Sequence, residues 1–163
     1  MKDRVINFNP GPATLPLSVL ETVQEELINY RGEGLSILEM SHRSKTFDAI
    51  INDAVSNVKK VMNFPDNYSV LFLQGGATAQ FAAVPLNLAQ KEKPALYINT
   101  GSWSKKAISE AKKLGINHQV IASSEQENFN YIPDDFQVPK EASYLHITTN
   151  NTIFGTQWQK YPK

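Results

Sequence analysis

Cysteine is absent from the 163 residues. That removes disulfides, thiolate nucleophiles and thiolate-held metals, and it fits a reducing compartment. An excess charge of either sign is also missing, because sixteen basic residues balance sixteen acidic ones. No global field therefore draws in nucleic acid or an anionic membrane. No apolar run approaches the roughly 20 residues of a bilayer span, and the opening MKDRVINFNPGPATLP mixes charge, Asn and Pro where a secretory signal needs an unbroken apolar core. Internal repeats, low-complexity tracts and an interdomain linker are missing as well. These absences lead to the expectation of a cytoplasmic protein without membrane or nucleic-acid partners, in which small local sites carry the specificity. The length suits one ordinary domain with a core of its own.

What is present alternates between helical and extended patterns. Residues 7–16, NFNPGPATLP, hold three prolines and a glycine, so residues 1–16 read as an N-terminal arm whose backbone is largely fixed by proline. Leu17, Leu20, Val23, Leu27 and Tyr30 recur at helical spacing over 17–30. RGEGLSILEMSHRS then loses the period and reads as a loop with a short extended piece. From Ser44 to Asn63 a stripe of Phe47, Ile50, Ile51, Ala54, Val55, Val58 and Met62 predicts a second helix. A strand is expected at 69–74 and a helix at about 77–88, with a kink or boundary at Pro85. PALYINT reads as a strand, SWSKKAISEAKKLG as a helix closed by Gly115, and NHQVIAS as a strand. Beyond the Pro-marked stretch 123–142, a last strand runs through Thr148 into a polar Asn/Thr turn. Strands alternating with helices predict an α/β fold built on a mostly parallel sheet.

In such sheets ligands bind outside the carboxyl ends of the strands, where loops and helix N-termini converge. Three polar clusters stand there: QGGATAQ, NTGSWS and TTNNT. Gly75-Gly76 can simply shorten a strand-to-helix connection. Alternatively it can leave room for a phosphate held by the backbone amides of Ala77 and Thr78, with the Thr78 hydroxyl as a further donor. The run is neither G-x-G-x-x-G nor a Walker loop, which disfavours a nucleotide. Trp103 is either a core or interface side chain or a platform for a flat ring. The short polar side chains of TTNNT bond their own turn or a ligand. Arg43, in MSHRS, is either a solvated cation or a fork for a carboxylate. Phosphate cup, ring platform, polar clamp and carboxylate fork together describe pyridoxal phosphate and an acidic substrate.

FNPGPA at 8–13, MSHRS at 40–44, FLQGGATAQF at 72–81, YINTGSWSKKA at 97–107 and HITTNNTIFGTQ at 146–157 resemble, in order and spacing, the N-terminal half of the phosphoserine aminotransferases. The resemblance implies a fold-type I pyridoxal phosphate enzyme of class V, with helices on both faces of the sheet. Residues 17–163 would be the N-terminal part of its large domain. It also implies a homodimer with active sites between subunits, and transfer of an amino group between glutamate and 3-phosphohydroxypyruvate, giving 3-phosphoserine, in serine and vitamin B6 biosynthesis. By that likeness Gly76, Ala77 and Thr78 would hold the cofactor phosphate. Trp103 would stack on the pyridine ring, and Thr152 would bond its 3-oxygen. Arg43 would take a substrate carboxylate, accompanied by His42 without a proton-transfer role. Relatives often carry Ser or Arg where this chain has Thr78, so a hydroxyl is kept and any contact made by an arginine is lost.

The family's Schiff-base lysine lies in a G-A-Q-K-N-like segment, after an acidic residue that pairs with the pyridinium nitrogen. Neither segment occurs here, and Lys105, Lys106 and Lys112 fall outside those motifs. No catalytic residue and no metal ligand is therefore assigned. The reading is a fragment of the enzyme, inactive alone, with a non-catalytic phosphate- or cofactor-binding module as the alternative. Family architecture places later strands between the first strand and its companions, so the fragment alone is expected to expose strand edges and aggregate.

Overall fold

The computed structural model describes residues 4–162, so residues 1–3 of the expected arm and Lys163 lie outside the described residues. The chain divides into two compact units, Met1–Phe72 and Leu73–Lys163.

In the first unit, residues 4–16 form an extended arm without regular structure. Arg4 Nη2 donates to the Leu15 carbonyl and Thr14 Oγ1 to that of Asn7, while Val5, Ile6 and Phe8 remain exposed. Helix α1 spans Leu17–Glu26 and ends earlier than its apolar period suggests. The reason is local competition for donors. Asn29 Oδ1 accepts the Gly34 N–H, the Tyr30 N–H goes to the Leu35 carbonyl, and Arg31 adopts φ 48°. These bonds build a turn from groups that a continuing helix would have used. The short extended piece expected within 31–44 is replaced by short 3-10 turns at Tyr30–Gly32 and Ile37–Glu39. Helix α2, Lys45–Met62, starts where Ser44 Oγ accepts the Phe47 N–H and ends at Asn63 in the left-handed conformation. Its apolar stripe is half-buried from Phe47 to Val58, and Met62 is exposed.

The expected strand at 69–74 does not form. Residues 69–73 carry no regular structure, and Leu71, Phe72 and Leu73 are exposed. Strand propensity cannot be satisfied by one segment, because its N–H and C=O groups need a neighbour, and this segment is not hydrogen-bonded into either described sheet.

The second unit is an α/β layer. Helix α3, Gly76–Leu88, runs through Pro85, which forms neither a boundary nor an end. Strand β1, Ala95–Asn99, is the centre of a three-stranded sheet of order β2-β1-β3. Its neighbours are β2, His118–Ser123, and β3, Tyr144–His146, and both pair with it in parallel. The last strand stops at His146, short of Thr148. Helix α4, Ser102–Lys113, closes with Gly115 at φ 68°, where the Gly115 N–H reaches the Lys112 carbonyl and the Ile116 N–H that of Ala111. This double closure satisfies orphan carbonyls and folds Ile116 back toward the core.

Ala95 and Tyr97 point to one face of β1 and meet Ala107 and Ala111 of α4, with Phe81 of α3 packed against them. The alternate residues Leu96 and Ile98 are also fully buried, as a central parallel strand requires. TTNNT is more than a turn. Strands β4, Asn150–Asn151, and β5, Thr156–Gln157, pair in antiparallel fashion with Thr152–Gly155 at the tip.

One buried group makes stability depend on pH. His146 Nε2 has no hydrogen-bond partner, and burial lowers the pKa of the ring from its ordinary 6.5. The unfolded chain then binds the proton more tightly than the folded one. Stability is present above pH 6.5 and is lost as pH falls below it through the folded-state value. Each tenfold difference in proton affinity between the states is worth about 1.4 kcal/mol. Denaturant titrations on either side of that pH are expected to show a lower midpoint on the acid side. His146→Phe should flatten the difference, and an unchanged slope in that variant would refute the assignment.

Candidate cofactor site

The carboxyl edge of the sheet is organised by a buried polar knot. Thr100 and Gly101 follow β1, and both their N–H groups donate to Ser104 Oγ at 2.9 Å. Asn99 Oδ1 lies 3.0 Å from the same hydroxyl. Ser104 thereby satisfies the chain reversal between β1 and α4 from inside the helix, and it is wholly buried. Asn99 Nδ2 also reaches Glu125 Oε2, whose other oxygen pairs with Lys105 at 2.7 Å. The Lys105 bond holds the Glu125 carboxyl below its ordinary pKa. Because this pair is half-exposed, its net contribution to stability is small.

Asn151 joins the hairpin to that knot. Its side chain exchanges hydrogen bonds with the Thr100 hydroxyl, at 3.3 Å for Oδ1 and 3.2 Å for Nδ2, and Nδ2 also reaches Thr156 Oγ1. A Cβ on Gly101 would stand 2.9 Å from Asn151 Oδ1 and 3.1 Å from Phe154 Cδ2, so the hairpin docks where glycine leaves room. Asn151, buried at 1% exposure, was not singled out by sequence reasoning. The only signal was its membership of TTNNT.

This docking brings two expected site residues together. Trp103 Nε1 donates to Thr152 Oγ1 at 3.2 Å, and both side chains are open to solvent. Trp103 is therefore a rim residue and not a core one. Lys106 Nζ lies 6.0 Å from the indole centroid, a cation over an aromatic ring.

The start of α3 belongs to the same edge. Ala89–Lys91, just after α3, and Gly115–Asn117, just after α4, line one small cleft, and the Gln90 N–H donates to Ser143 beside the start of β3. Midway along, Phe81, Val84 and Pro85 meet Tyr97 and Ala107 around a cavity of about 160 Å³. The two helices thus run side by side in the same direction, with both N-termini toward the carboxyl edge. There Gly75 caps α3 at φ 93°, and Gly76, Ala77 and Thr78 are exposed. Their N–H groups belong to the first turn and have no acceptor within the helix, at its partially positive end. A phosphate is the natural complement of such a group.

His42 and Arg43 belong to the first unit. They occupy an exposed turn closed by the Ser44 N–H to the Ser41 carbonyl, with the Arg43 N–H on Ser41 Oγ, and Ser44 then caps α2. Among the described residues no cluster of metal-ligating side chains occurs, and no helix is long and apolar enough to cross a membrane.

Residues 5–163 match the family model described as aminotransferase class-V. The chain is 57% identical over 162 residues to the phosphoserine aminotransferase of Desulfosudis oleivorans, covering 99% of this chain and 45% of that protein. It is 59% identical over 155 residues to the phosphoserine aminotransferase of Listeria innocua, covering 94% and 42%. Among solved structures it is similar to phosphoserine aminotransferase from Bacillus circulans subsp. alkalophilus, with a TM-score of 0.88 at 45% identity over 96% of this chain and 44% of that one. It is also similar to the PLP-bound phosphoserine aminotransferase of Trichomonas vaginalis, with a TM-score of 0.90 at 34% identity over 98% and 48%. The chain spans less than half the length of these relatives.

Proposed function

The chain belongs to the class-V aminotransferase family, and from that membership we propose that it supplies the N-terminal, cofactor-holding portion of a phosphoserine aminotransferase. The cofactor is pyridoxal 5'-phosphate, which supplies an electron sink for amino-group transfer when bound. The observation that carries the reading is the convergence on one edge of the α3 N-terminus with the Trp103–Thr152 pair. In this assignment the amides of Gly76, Ala77 and Thr78 take the phosphate. Trp103 covers the ring, and the Thr152 hydroxyl meets its 3-oxygen. Arg43, beside His42, takes the carboxylate of glutamate or of 3-phosphohydroxypyruvate and 3-phosphoserine. Residues 1–16 form an arm, and 17–163 belong to the large domain of a cytoplasmic homodimer, which light scattering of the full-length enzyme would check. Identity of 57% across 99% of the chain favours an enzyme portion over a separate binding module.

Equilibrium dialysis tests the site in the chain itself. Pyridoxal phosphate is expected to bind and to be displaced by inorganic phosphate. Trp103→Ala should weaken binding about tenfold, as expected for losing an aromatic stack of roughly 1 kcal/mol together with its buried area. Binding that ignores phosphate, or that survives Trp103→Ala at full strength, would sink the reading.

A further inference from the structure

The loop that follows β2 holds two consecutive non-glycine residues in the left-handed region, Asn128 at φ 50° and Phe129 at φ 58°. Phenylalanine has no short polar side chain to ease that conformation, so the surroundings must impose it. Backbone bonds do part of this, because the N–H groups of Asn128 and Phe129 donate to the carbonyls of Glu125 and Ser124 at 3.1 and 2.9 Å. The start of the loop is moored as well. Glu125 accepts from Asn99 at the end of β1 and from Lys105 on α4.

The strained backbone buries one ring. Phe129 is 6% exposed, and its ring centroid lies 4.8 Å from that of Phe154, with the planes at 57°. Phe154 belongs to the hairpin tip, and its Cδ2 would stand 3.1 Å from a Cβ on Gly101, so the same ring also lies against the start of α4. The tip is thus wedged between the loop after β2 and the helix that carries Trp103. Two residues before Phe154, Thr152 accepts the Trp103 indole N–H. With 40% of Trp103 exposed, that bond, more than packing, sets the plane of the indole.

We propose that the left-handed Asn128–Phe129 kink is a positioning device for the cofactor site: Phe129 braces Phe154, the braced hairpin holds the Trp103 indole, and the ring platform stands ready before a ligand arrives. Backbone strain kept beside a site is the mark of such a constraint, and a platform ordered in advance raises affinity by removing the cost of ordering it on binding. Phe129 and Phe154 act through Trp103. The inference rests on the cofactor reading above and adds the residues that hold its platform in place.

The test separates the ring from the phosphate. Pyridoxine 5'-phosphate, which has no aldehyde to react with surface lysines, reports both, whereas inorganic phosphate followed by NMR at the Gly76 and Ala77 amides reports the start of α3 alone. Solvent exchange of the Trp103 indole proton reports the platform without a ligand, with Trp158, the other of the two tryptophans, as internal reference. Phe129→Ala is expected to weaken pyridoxine 5'-phosphate about fivefold, within the roughly tenfold that loss of the whole indole costs. It should leave inorganic phosphate unchanged and quicken indole exchange severalfold. Asn128 gives a second test that removes no ring, because its side chain is exposed. Asn128→Val puts a β-branched residue in the left-handed region and should reproduce Phe129→Ala in all three readouts, while Asn128→Gly enters that region without steric cost and should match the unmodified chain.

Equal weakening of both ligands in Phe129→Ala would make the ring ordinary core packing, and the proposal would fall with the cofactor reading intact. Unchanged indole exchange in Phe129→Ala, or identical behaviour of Asn128→Val and Asn128→Gly, overturns it in the same way. Failure of the unmodified chain to bind pyridoxine 5'-phosphate overturns both readings. Should Phe129→Ala not fold, the two Asn128 variants decide by the same three readouts.

Discussion

Gly75→Val is expected to abolish phosphate-competed binding of pyridoxal phosphate while the sheet and α4 remain folded. Gly75 sits at φ 93°, and a Cβ there would lie 2.6 Å from the Ala79 Cβ. A branched side chain in the left-handed region costs about 1–3 kcal/mol. Overpacking against Ala79 adds roughly 1–3 kcal/mol more. The rest of α3 is anchored by Phe81 against the β1–α4 core and by buried Pro85. The cheapest relaxation is therefore to unwind the first turn, which disperses the amides of Gly76, Ala77 and Thr78. Gly76→Ala is the control, since φ is 58° there but nothing lies within 4 Å of the added Cβ. Only the backbone strain remains, about 1–2 kcal/mol, so binding should weaken without vanishing. Dialysis with and without inorganic phosphate checks both variants. Full affinity in Gly75→Val would remove the α3 N-terminus from the site.

The contrast between these glycines also shows what the sequence made legible. Gly75-Gly76 before an amphipathic run marks the start of a helix, and Gly115 after a helical period marks a closure, because both demands are local and only glycine meets them cheaply. The helices α2 and α4 and the strands β1 and β2 could be read for the same reason, from periods that their own residues carry. The run 69–74 could not. Its apolar content states that it wants a neighbour, and no periodicity says where that neighbour is. The early end of α1 was hidden in one side chain, Asn29, which outbids a continuing helix for a backbone donor. In the site, Trp103 and Thr152 were legible as polar-rim residues following strands, but their mutual bond was not. It depends on Asn151, and nothing in TTNNT distinguishes the exposed Asn150 from its buried neighbour before the hairpin register is known.

Tyr97→Ala is expected to unfold the second unit at ambient temperature or bring it close to unfolding, with Tyr97→Phe intermediate between it and the parent. Tyr97 stands at the centre of β1 with 1% exposure. Its ring lies 5.3 Å from that of His146 and meets Tyr144 edge-on at 6.0 Å. Its hydroxyl is 2.6 Å from that of Tyr144, and burial together with this bond raises its pKa well above the ordinary 10.0. Truncation to alanine removes the largest side chain in the core cluster beside an existing cavity of about 160 Å³. The loss is about 3–5 kcal/mol, a large share of the roughly 5–15 kcal/mol that holds an ordinary domain. Phenylalanine keeps the packing and strands the half-buried Tyr144 hydroxyl, at about 1–3 kcal/mol. Urea titration followed by fluorescence reads this unit alone, because both tryptophans lie in it. Trp103 emission should report the consequence for the site. Thr100 and Gly101 hang directly from the strand that Tyr97 anchors, so the indole loses Thr152 as β1 loosens. Equal midpoints for the Phe and Ala variants would show that the hydroxyl pair, and not the ring, secures the carboxyl edge.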